Sequence, residues 1–490
     1  MKKIPSTISP IVAVNKRARK SLYRQVYDAY RGAIVDGSLC PGQRIPSTRV
    51  QALEIGISRT PVLNAYEQLL AEGYFESRVG SGTVVSRSLA ERVTVFPATS
   101  ASAKRARPRR VSKRCSISST REDLHRRLHV ESSVGSQVAF EHFPLRIWNR
   151  LVTRHSRNLQ ADFLDYGDPI GLKELREAIA AYLRTARSVH CEAEQILIVS
   201  GSQQGLEISA RVLLDPGDRV WMEEPCYAFA RSVFAYNGCR IVPVPVDAEG
   251  LNVIAGMKKC RNARAALVTP SHQFPLGTTM TASRRLQLLD WAERNGSWIL
   301  EDDYDSEFRY EGMPVASLQG LDRNSRVIYI GTFSKVLFPA LRLGYVVIPA
   351  DLVERFLAVR LAMDICPASF PQMVLADFIR EGHFSRHIRR MRAVYAERRS
   401  ALIESIHKEL GPAAEIQGAE AGMHLSIILK GISDREIAAR AARQGTSLVP
   451  LSLLYTGKPT RQGFILGFGS TTVKEIPDAV HKLRIALDLK

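Results

Sequence analysis

The chain has 490 residues, of which 45% are hydrophobic and 24% are charged. At roughly 100–200 residues per domain, this length predicts two to four domains, and the composition excludes a mostly disordered chain. No run approaches the roughly 18 apolar residues of a membrane-spanning helix, and the run Ile11–Val14 is shorter than a signal-peptide core. The seven cysteines include no C-x-x-C pair. Disulfide frameworks and zinc ribbons are therefore not expected, and the predicted location is cytoplasmic.

The net charge of +19 is distributed unevenly along the chain. Residues 1–115 hold 21 Lys and Arg against 7 Asp and Glu, whereas the remaining 375 residues hold 47 against 42. This asymmetry predicts a basic head that contacts a polyanion and a nearly neutral body with another task. Charge alone leaves a solubilising basic tail open, and it does not distinguish nucleic acid from an anionic membrane surface.

Three helices and a hairpin are predicted within residues 19–87. Apolar side chains recur every three or four residues over Ser21–Asp36, which is the period of an amphipathic helix. A second, short helix and a third, longer one are expected after Ser47 and Ser58, whose hydroxyls suit the N-cap position. Two β-prone runs around Gly80-Ser81-Gly82 predict the hairpin.

Three helices followed by a hairpin describe a winged helix-turn-helix, in which the third helix enters the major groove of DNA. The sequence resembles the GntR family of bacterial regulators in the segments PGQRIPSTR, GISRTPVLNAYEQLLAEGY and GSGTVV. A small helical bundle that does not bind DNA is the alternative. The predicted DNA-binding residues lie in the first segment, at the start of the third helix and in the hairpin turn: Arg49, Ser58, Arg59, Thr60, Gly80, Ser81, Gly82 and Thr83.

Residues 88–120 are predicted to form a flexible basic linker. They include the run Lys104-Arg105-Ala106-Arg107-Pro108-Arg109-Arg110 among small polar residues, with no apolar periodicity. These cations either add non-specific phosphate contacts or belong to a solvated spacer.

Residues 121–490 are predicted to form an α/β domain with a mostly parallel sheet. Short apolar runs alternate with helical stretches, as layered α/β domains do. Ligands of such sheets bind beyond the carboxyl ends of the strands. The strand-like runs are Ile196–Val199, Ala265–Val268, Trp298–Leu300 and Val327–Ile330.

Three polar clusters follow these predicted strands. Small residues in Ser200–Gly205 suit a phosphate at a helix start, although a plain turn has the same composition. The crowded acids of Glu301–Asp305 favour a cation, either a metal such as magnesium or a protonated ring nitrogen. Lys335 stands among small hydroxyl residues with Arg342 nearby, which suits a Schiff base beside a bound phosphate.

Together, the three clusters make residues 125–490 resemble the fold-type-I pyridoxal-phosphate enzymes of the aspartate aminotransferase class. The resemblance implies that Lys335 forms the Schiff base with the cofactor and that Asp302 pairs with the pyridinium nitrogen. It also implies that Tyr304 hydrogen-bonds the ring hydroxyl and that Tyr227 stacks on the ring.

The same resemblance implies a phosphate site shared by two subunits. Tyr166, in the segment YGDPIG, would reach the phosphate of the partner subunit's cofactor. The residues expected around the phosphate within one chain are Ser202, Gln203, Thr332, Ser334 and Arg342.

Two departures from the aminotransferase pattern bear on catalysis. Phe274-Pro275-Leu276-Gly277 stands where these enzymes carry Asn-Pro-x-Gly, so the asparagine contact to the ring hydroxyl is missing. His272 or Gln273 either replaces that contact or shapes the loop. Near the C-terminus, Gly463–Phe468 is apolar where transaminases place an arginine for the substrate carboxylate. Arg461 is close to this stretch in sequence, and whether it takes the place of that arginine is left open.

A GntR-type head fused to an aminotransferase-like body resembles the MocR/GabR subfamily of transcription regulators, as do the segments TPSHQFPLG, EDDYDSEF and GHFSRHIRRMR. The resemblance implies a head-to-tail homodimer in the bacterial cytoplasm that binds pyridoxal 5'-phosphate and operator DNA, and is associated with the nucleoid when bound. The body would sense a small amine, amino acid or B6 vitamer through a Schiff base (aldimine), without steady turnover. Two alternatives are an active aminotransferase with an autoregulatory DNA-binding head and a body that serves only for dimerisation.

Overall fold

The computed structural model describes residues 12–18, 20–78, 82–87, 138–312, 316–443 and 445–488. The chain divides into two compact units, Met1–Arg110 and Val111–Lys490, which we call the head and the body. The division falls between residues 110 and 111, within the predicted linker. That linker and two predicted DNA contacts, Gly80 and Ser81, lie outside the described residues.

The head contains the predicted three helices and hairpin. Ser47 accepts a hydrogen bond on Oγ from the Val50 amide at 3.4 Å and so caps the second helix, whereas Ser58 precedes the third helix without a side-chain cap. The two strands pair in antiparallel fashion from Phe75↔Val85 onward. The elements are α1 (Leu22–Val35), α2 (Thr48–Glu54), α3 (Arg59–Ala71), β1 (Phe75–Arg78) and β2 (Gly82–Val85).

A buried tyrosine network joins the helices of the head. Tyr30 on α1 donates to Oε1 of Gln51 on α2 at 2.6 Å, and its hydroxyl lies 3.0 Å from that of Tyr66 on α3. Tyr66 in turn donates to the carbonyl of Pro46 at 3.1 Å. Both rings pack edge-to-face against Phe75 on β1. Because these hydroxyls are buried, the network fixes α3 relative to α1 and α2.

The body is built on an eight-stranded sheet with strand order β3-β10-β9-β8-β7-β4-β5-β6. The strands are β3 (Ile196–Val199), β4 (Arg219–Glu224), β5 (Arg240–Asp247), β6 (Gly250–Leu251), β7 (Ala265–Val268), β8 (Trp298–Asp303), β9 (Val327–Thr332) and β10 (Gly344–Val347).

Strand direction brings six carboxyl ends to one edge of this sheet. Strands β9, β8, β7, β4 and β5 are parallel to one another. Strand β10 is antiparallel to both β3 and β9, so β3 runs in the same direction as β9. The mostly parallel sheet is therefore confirmed, and the segments after β3, β4, β7, β8 and β9 leave the sheet on the same side.

Both faces of the sheet are covered. Alternate residues of a strand point to opposite faces, and in β3 the pair Ile196 and Ile198 packs in one hydrophobic cluster while Leu197 and Val199 pack in another. The helices of the body are α4 (Leu145–Arg157), α5 (Lys173–Ala186), α6 (Ser202–Leu213), α7 (Ala228–Tyr236), α8 (Val253–Cys260), α9 (Ala282–Asn295), α10 (Leu318–Leu321), α11 (Val353–Asp364), α12 (Ser369–Arg380), α13 (His383–Leu410), α14 (Asp434–Arg443) and α15 (Ile476–Ala486).

A smaller antiparallel sheet follows α13, with strand order β11-β12-β14-β13. Ser426 of this sheet donates from Oγ to the Pro275 carbonyl at 2.7 Å, which joins it to the loop after β7. Among the helices of the described ranges, none is long and apolar enough to cross a bilayer. The strands are β11 (Ala414–Gln417), β12 (His424–Leu429), β13 (Val449–Pro450) and β14 (Gly463–Gly467).

Candidate functional site

Two of the crowded acids on β8 serve the fold. Glu301 accepts hydrogen bonds from the backbone N–H groups of Leu318, at 2.8 Å, and Gln319, at 2.9 Å, which lie in the first turn of α10. Asp303 forms a buried ion pair with Nε of Arg187 at 2.9 Å. Both acids lie within β8, where sequence analysis expected them to follow the strand. Their tertiary partners allow charged residues to stay in a buried strand.

Asp302 lies between these two acids and differs from them. It is buried, and no hydrogen bond from the described residues reaches its Oδ1 atom. Burial, followed by repulsion from neighbouring carboxylates, raises the pKa of Asp302 to about 7, and the charge of Lys335 opposes this rise. A buried carboxyl group in this setting favours a cationic partner, and a protonated pyridine nitrogen provides one.

Lys335 lies beside Asp302 because their strands are neighbours. Asp302 pairs with Ile330 in the parallel register of β8 and β9, and Lys335 follows the end of β9. Between the end of β9 and Lys335, Oγ1 of Thr332 accepts a hydrogen bond from the Ser334 amide at 3.2 Å. Lys335 is partly buried. The predicted Schiff-base lysine and the predicted pyridinium partner are therefore brought together.

The start of α6 has the properties of a phosphate site. Gly201 precedes the helix with a φ of +86°, and no side chain caps the N–H groups that begin at Ser202. Gln203 lies in the first turn of this helix. Its buried Oε1 atom has no hydrogen-bond partner among the described residues, and as an acceptor this oxygen does not itself favour a phosphate. Arg342 donates from Nη2 to the Ser200 carbonyl at 2.6 Å, which brings its positive charge to this helix start.

Tyr227 and Tyr304 lie near the same loop. Tyr227 caps α7 beyond the end of β4, and its ring centroid lies 5.8 Å from that of Phe274. Tyr304 donates from its hydroxyl to the His272 carbonyl at 3.0 Å, and the same oxygen lies 3.1 Å from Nδ1 of His272. Phe274, at the position of the aminotransferase asparagine, thus packs against an aromatic ring.

The two candidates for replacing that asparagine have different roles. Gln273 donates from Nε2 to the carbonyls of Pro225, at 2.9 Å, and Phe274, at 2.6 Å, so its amide is used inside the loop. His272 pairs through Nδ1 with Oδ2 of Asp305 at 2.9 Å. Although burial alone would lower the pKa of His272, the carboxylate of Asp305 raises it above its ordinary value.

His424, on β12, is a site residue that sequence analysis did not identify. It is 1% exposed, and its ring centroid lies 4.8 Å from that of His272. The sequence offers only a lone histidine in an apolar strand as a signal. His272, Asp305 and His424 each offer a ligand atom within 4.8 Å of the others. Imidazole nitrogens are not the ligands that magnesium prefers, so this cluster does not support the magnesium alternative.

Tyr166 and Arg461, which the sequence analysis considered for the site, lie elsewhere in the structure. Tyr166 is 74% exposed, and its backbone N–H bonds the side chain of Asp165 at 2.7 Å. Its role toward a partner subunit remains a prediction. Arg461 lies next to Tyr455, where its positive charge lowers the pKa of the tyrosine, against the larger upward effect of burial.

The predicted DNA-binding residues are at the surface of the head. Arg49, Ser58, Arg59 and Thr60 are exposed, while Gly82 is exposed and Thr83 partly so. Nε of Arg59 donates to Oγ1 of Thr48 at 3.1 Å, which links the start of α3 to the start of α2.

Arg44 is a second residue that sequence analysis missed. Its backbone bridges Val84 of the hairpin, and its guanidinium lies 3.4 Å from where a Cβ on Gly82 would be. It is exposed at the base of the wing and offers a positive charge to a phosphate.

Comparison with known proteins agrees with this division into head and body. Residues 22–85 match the family of bacterial regulatory proteins, gntR family, and residues 142–459 match aminotransferase class I and II. The chain is 38% identical over 484 residues to the probable rhizopine catabolism regulatory protein MocR of Rhizobium meliloti, covering 97% of this chain and 96% of that protein. It is 30% identical to the pyridoxine biosynthesis regulator PdxR of Corynebacterium glutamicum, covering 96% of this chain and 98% of that protein.

The body also matches solved structures. A kynurenine aminotransferase of Pyrococcus horikoshii, crystallised with PMP, superposes with a TM-score of 0.72 at 28% identity, covering 78% of this chain and 98% of that one. The fold and the residues at its strand ends both fit pyridoxal phosphate, which the body binds. The chain therefore belongs to the aminotransferase class I and II family and, through its gntR-family head, to the MocR-type DNA-binding transcription regulators.

Proposed function

We propose that the body is a sensor in which Lys335 responds to a small amine, amino acid or B6 vitamer. The observation that carries this proposal is the unpartnered, buried Oδ1 of Asp302 beside Lys335, in a chain that also has a DNA-binding head. A body that served only for dimerisation would need no buried carboxylate beside a lysine, because an unpaired buried acid destabilises the fold.

Different residues of the site would hold different parts of the cofactor. When bound, pyridoxal phosphate supplies an aldehyde that condenses with primary amines and a ring that withdraws electrons. Lys335 would hold the cofactor through Nζ, and an effector amine would compete for the same position. Asp302 holds the proton on the ring nitrogen, while Arg342 and the first N–H groups of α6 bind the phosphate.

The surroundings of Lys335 favour sensing over turnover. Transamination requires that the substrate carboxylate be held firmly, since small errors in orientation cost large factors in rate. In this chain Phe274 replaces the usual asparagine, and the apolar strand β14 occupies the segment where transaminases place an arginine. An amine at Lys335 is therefore bound without two of the groups that orient a substrate for transamination.

A second candidate is an active aminotransferase with an autoregulatory head. The similarity of the body to the aromatic-amino-acid aminotransferase 1 of Thermococcus litoralis, at 28% identity over 362 residues, favours it. Conversion of a keto acid to an amino acid over many turnovers by the purified chain would support the enzyme, whereas a single stoichiometric conversion would support the sensor.

The proposed assembly is a head-to-tail homodimer that acts on operator DNA in the cytoplasm. The 74% exposure of Tyr166 supports this arrangement, because a tyrosine that serves the partner's phosphate has to lie at the surface of its own chain. Light scattering measures the molecular mass of the chain in solution and so tests the assembly. The variant Tyr166→Phe, which loses only the hydroxyl group, tests the phosphate contact separately.

The test of the sensor is a measurement of coupling between the two units. Duplexes selected by the cofactor-loaded chain from a random-sequence pool serve as operator, and their affinity is measured with and without amines, amino acids and pyridoxamine. A coupling of about 1–3 kcal/mol changes operator affinity roughly 5- to 150-fold. Lys335→Ala should remove the change. The proposal fails if ligands that alter the visible spectrum leave DNA affinity and DNA bending unchanged.

A further inference from the structure

Three buried side chains from three separate elements converge beside the loop after β7. His272 lies in that loop, Asp305 follows β8, and His424 begins β12 of the smaller sheet. Each of the three is at most 2% exposed. One donor atom of each side chain lies within 4.8 Å of the donor atoms of the other two. Among the described residues, no other group of three His, Cys, Asp or Glu side chains converges in this way.

The hydrogen bonds of this cluster leave one nitrogen of each imidazole unused. Nδ1 of His272 lies 2.9 Å from Oδ2 of Asp305, which accounts for that nitrogen as part of an ion pair. The Nε2 atoms of His272 and His424 are buried, and neither has a hydrogen-bond partner among the described residues. Buried polar atoms in folded proteins nearly always have a partner, which can be an ion. The ion pair alone therefore leaves two buried nitrogens unexplained.

Glycine backbone, and not a side chain, borders the donor atoms of this cluster. Gly422 has a φ of +75°, and a Cβ there would lie 2.2 Å from Nδ1 of His272 and 2.5 Å from Oδ2 of Asp305. Gly277 has a φ of +71°, and a Cβ there would lie 3.0 Å from Nε2 of His272. The carbonyl of Gly422 accepts a hydrogen bond from the Tyr310 hydroxyl at 2.7 Å, which holds this backbone in place. A side chain at either glycine would fill the space beside the donors.

The donor set identifies the class of ion. Two imidazoles and one carboxylate are typical ligands of Zn²⁺, whereas magnesium prefers oxygen ligands alone. We propose that His272, Asp305 and His424 form a binding site for Zn²⁺. Donors at about 2.0–2.1 Å from a tetrahedral zinc ion lie about 3.4 Å apart, so the three side chains have to close by up to roughly 1.4 Å on binding.

The charge of the cluster supports a cation. The Asp305 carboxylate raises the pKa of His272 because it favours a positive charge on the neighbouring ring. It favours a metal cation for the same electrostatic reason, and a zinc ion bound by His272 would displace that proton. This inference does not depend on whether the body is a sensor.

A zinc ion at this place would join the two sheets of the body. His272 and Asp305 belong to segments that leave the large sheet, whereas His424 belongs to the small one. The hydrogen bond from Ser426 to Pro275 already connects the small sheet to the loop of His272. Because these ligands come together only in the folded chain, zinc should stabilise the native state in proportion to its occupancy.

The first measurement is a titration of the full-length, cofactor-loaded chain with Zn²⁺ after removal of metals and of free cofactor. Competition with a chromophoric chelator should show one tightly bound zinc ion per chain. The midpoint of thermal unfolding should rise as free zinc increases. Mg²⁺ at the same concentrations should produce neither effect.

Variants assign the bound zinc to these residues. Asp305→Asn and His424→Gln each remove one ligand, and each should weaken zinc binding by more than the roughly 10- to 100-fold that the loss of an outer-shell partner costs. His155→Gln is the matched control, because Nε2 of His155 lies 2.9 Å from Oδ2 of Asp377 in a comparable pair outside the cluster. The visible spectrum of the cofactor and far-ultraviolet circular dichroism verify the fold of each variant.

A third variant reports direct coordination. His424→Cys replaces the imidazole with a thiolate, which remains a metal ligand. With Co²⁺ as the probe, this variant should show a near-ultraviolet thiolate-to-metal absorption band that the wild-type chain lacks. A purely structural role of His424 would not produce that band.

The outcomes decide the proposal. Loss of the zinc ion in Asp305→Asn and His424→Gln, with retention in His155→Gln, supports the site. The proposal is refuted if the wild-type chain holds no stoichiometric zinc, or if the folded Asp305→Asn and His424→Gln variants bind zinc as the wild type does. If either of these variants does not fold, His424→Cys with Co²⁺ decides, and absence of the new band refutes the site.

Discussion

The guanidinium of Arg342 donates a hydrogen bond of 2.6 Å from Nη2 to the carbonyl of Ser200. This bond joins the segment after β9 to the loop after β3, although β10 separates the two strands in the sheet. Gly201, between Ser200 and the start of α6, has no side chain, and a Cβ there would lie 3.2 Å from Nη2. A side chain at residue 201 would therefore crowd the arginine at the helix start.

Replacing this glycine should weaken cofactor binding. In Gly201→Ala the new methyl group presses on the guanidinium and the backbone keeps a φ of +86°, which an alanine adopts only with strain of about 1 kcal/mol. We expect pyridoxal phosphate to be lost faster during dialysis. The decrease in visible absorbance measures this loss. Gly217→Ala is the matched control, since its φ is +101° and no atom lies within 4 Å of its Cβ. Equal cofactor loss in both variants would contradict the contact.

Lys335→Ala should remove the proposed covalent link between chain and cofactor. Reduction with borohydride, followed by peptide mapping, is expected to place the modification on the peptide that contains residue 335 in the wild-type chain and nowhere in the variant. Lys482→Ala is the control, because Lys482 pairs with Asp478 on the surface of α15. A reducible link that persists in Lys335→Ala would reject the assignment.

Arg59→Ala should weaken specific DNA binding. Arg59 is exposed at the start of α3 and held by Thr48, so its loss is expected to cost about 1–3 kcal/mol if it reads a guanine. Operator affinity at fixed salt measures this, and the visible spectrum of the body should stay unchanged. Arg31→Ala removes the same charge from α1 and serves as the comparison. Equal affinities for the two variants would argue against the contact.

Arg44→Ala should weaken DNA binding in a different way. Because Arg44 lies at the base of the wing beside Gly82, we expect it to contact a phosphate. Its loss should then reduce affinity for specific and non-specific duplexes alike and lower the salt slope by about one. Salt titrations on two unrelated duplexes provide the measurement. A loss confined to the operator would assign Arg44 to base reading instead.

His387 should make the stability of the body depend on pH. Burial lowers its pKa from 6.5 to about 4, and its Nε2 bonds the Val336 carbonyl at 3.0 Å. The unfolded chain therefore takes up this proton first as the pH falls. The neutral imidazole makes its full contribution to the free energy of unfolding above about pH 6.5. As the pH falls from 6.5 to 4, about 3 kcal/mol of that free energy is lost.

The measurement is the free energy of unfolding in urea at several pH values. His387→Gln retains a group that can donate to Val336 but does not titrate, so its unfolding free energy should fall less steeply below pH 6.5 than that of the wild-type chain. His481→Gln is the control on the surface. Parallel curves for wild type and His387→Gln would exclude this assignment.

The types of element were predictable where the apolar pattern was strong. The period of Ser21–Asp36 matches α1, and the apolar run Ile196–Val199 matches β3. The extension of β8 to Asp303 was not predictable, because acidic residues in sequence indicate a loop. They remain in the strand since Arg187 and the start of α10, which are distant in the chain, supply their partners.

The candidate site was predictable only where its residues share a motif. Asp302 and Lys335 each stand in a recognisable segment that follows a buried strand. His424 lies 89 residues beyond Lys335 in the chain, and the packing of the small sheet against the loop after β7 brings it to His272. The same holds for Arg44, whose role depends on how the hairpin folds back to it.

The tyrosine network of the head limits how regulation can work. Separating Tyr30, Tyr66 and Gln51 would leave buried polar groups unsatisfied, at about 1–3 kcal/mol for each. Helix α3 is therefore held in a stiff unit. Moving α3 within the head costs more free energy than moving the whole head. A signal would then change where the two heads of the proposed dimer stand on the duplex, and not which bases each prefers. Effector should alter the tolerated spacing between half-sites while the half-site sequence selected by the chain stays the same.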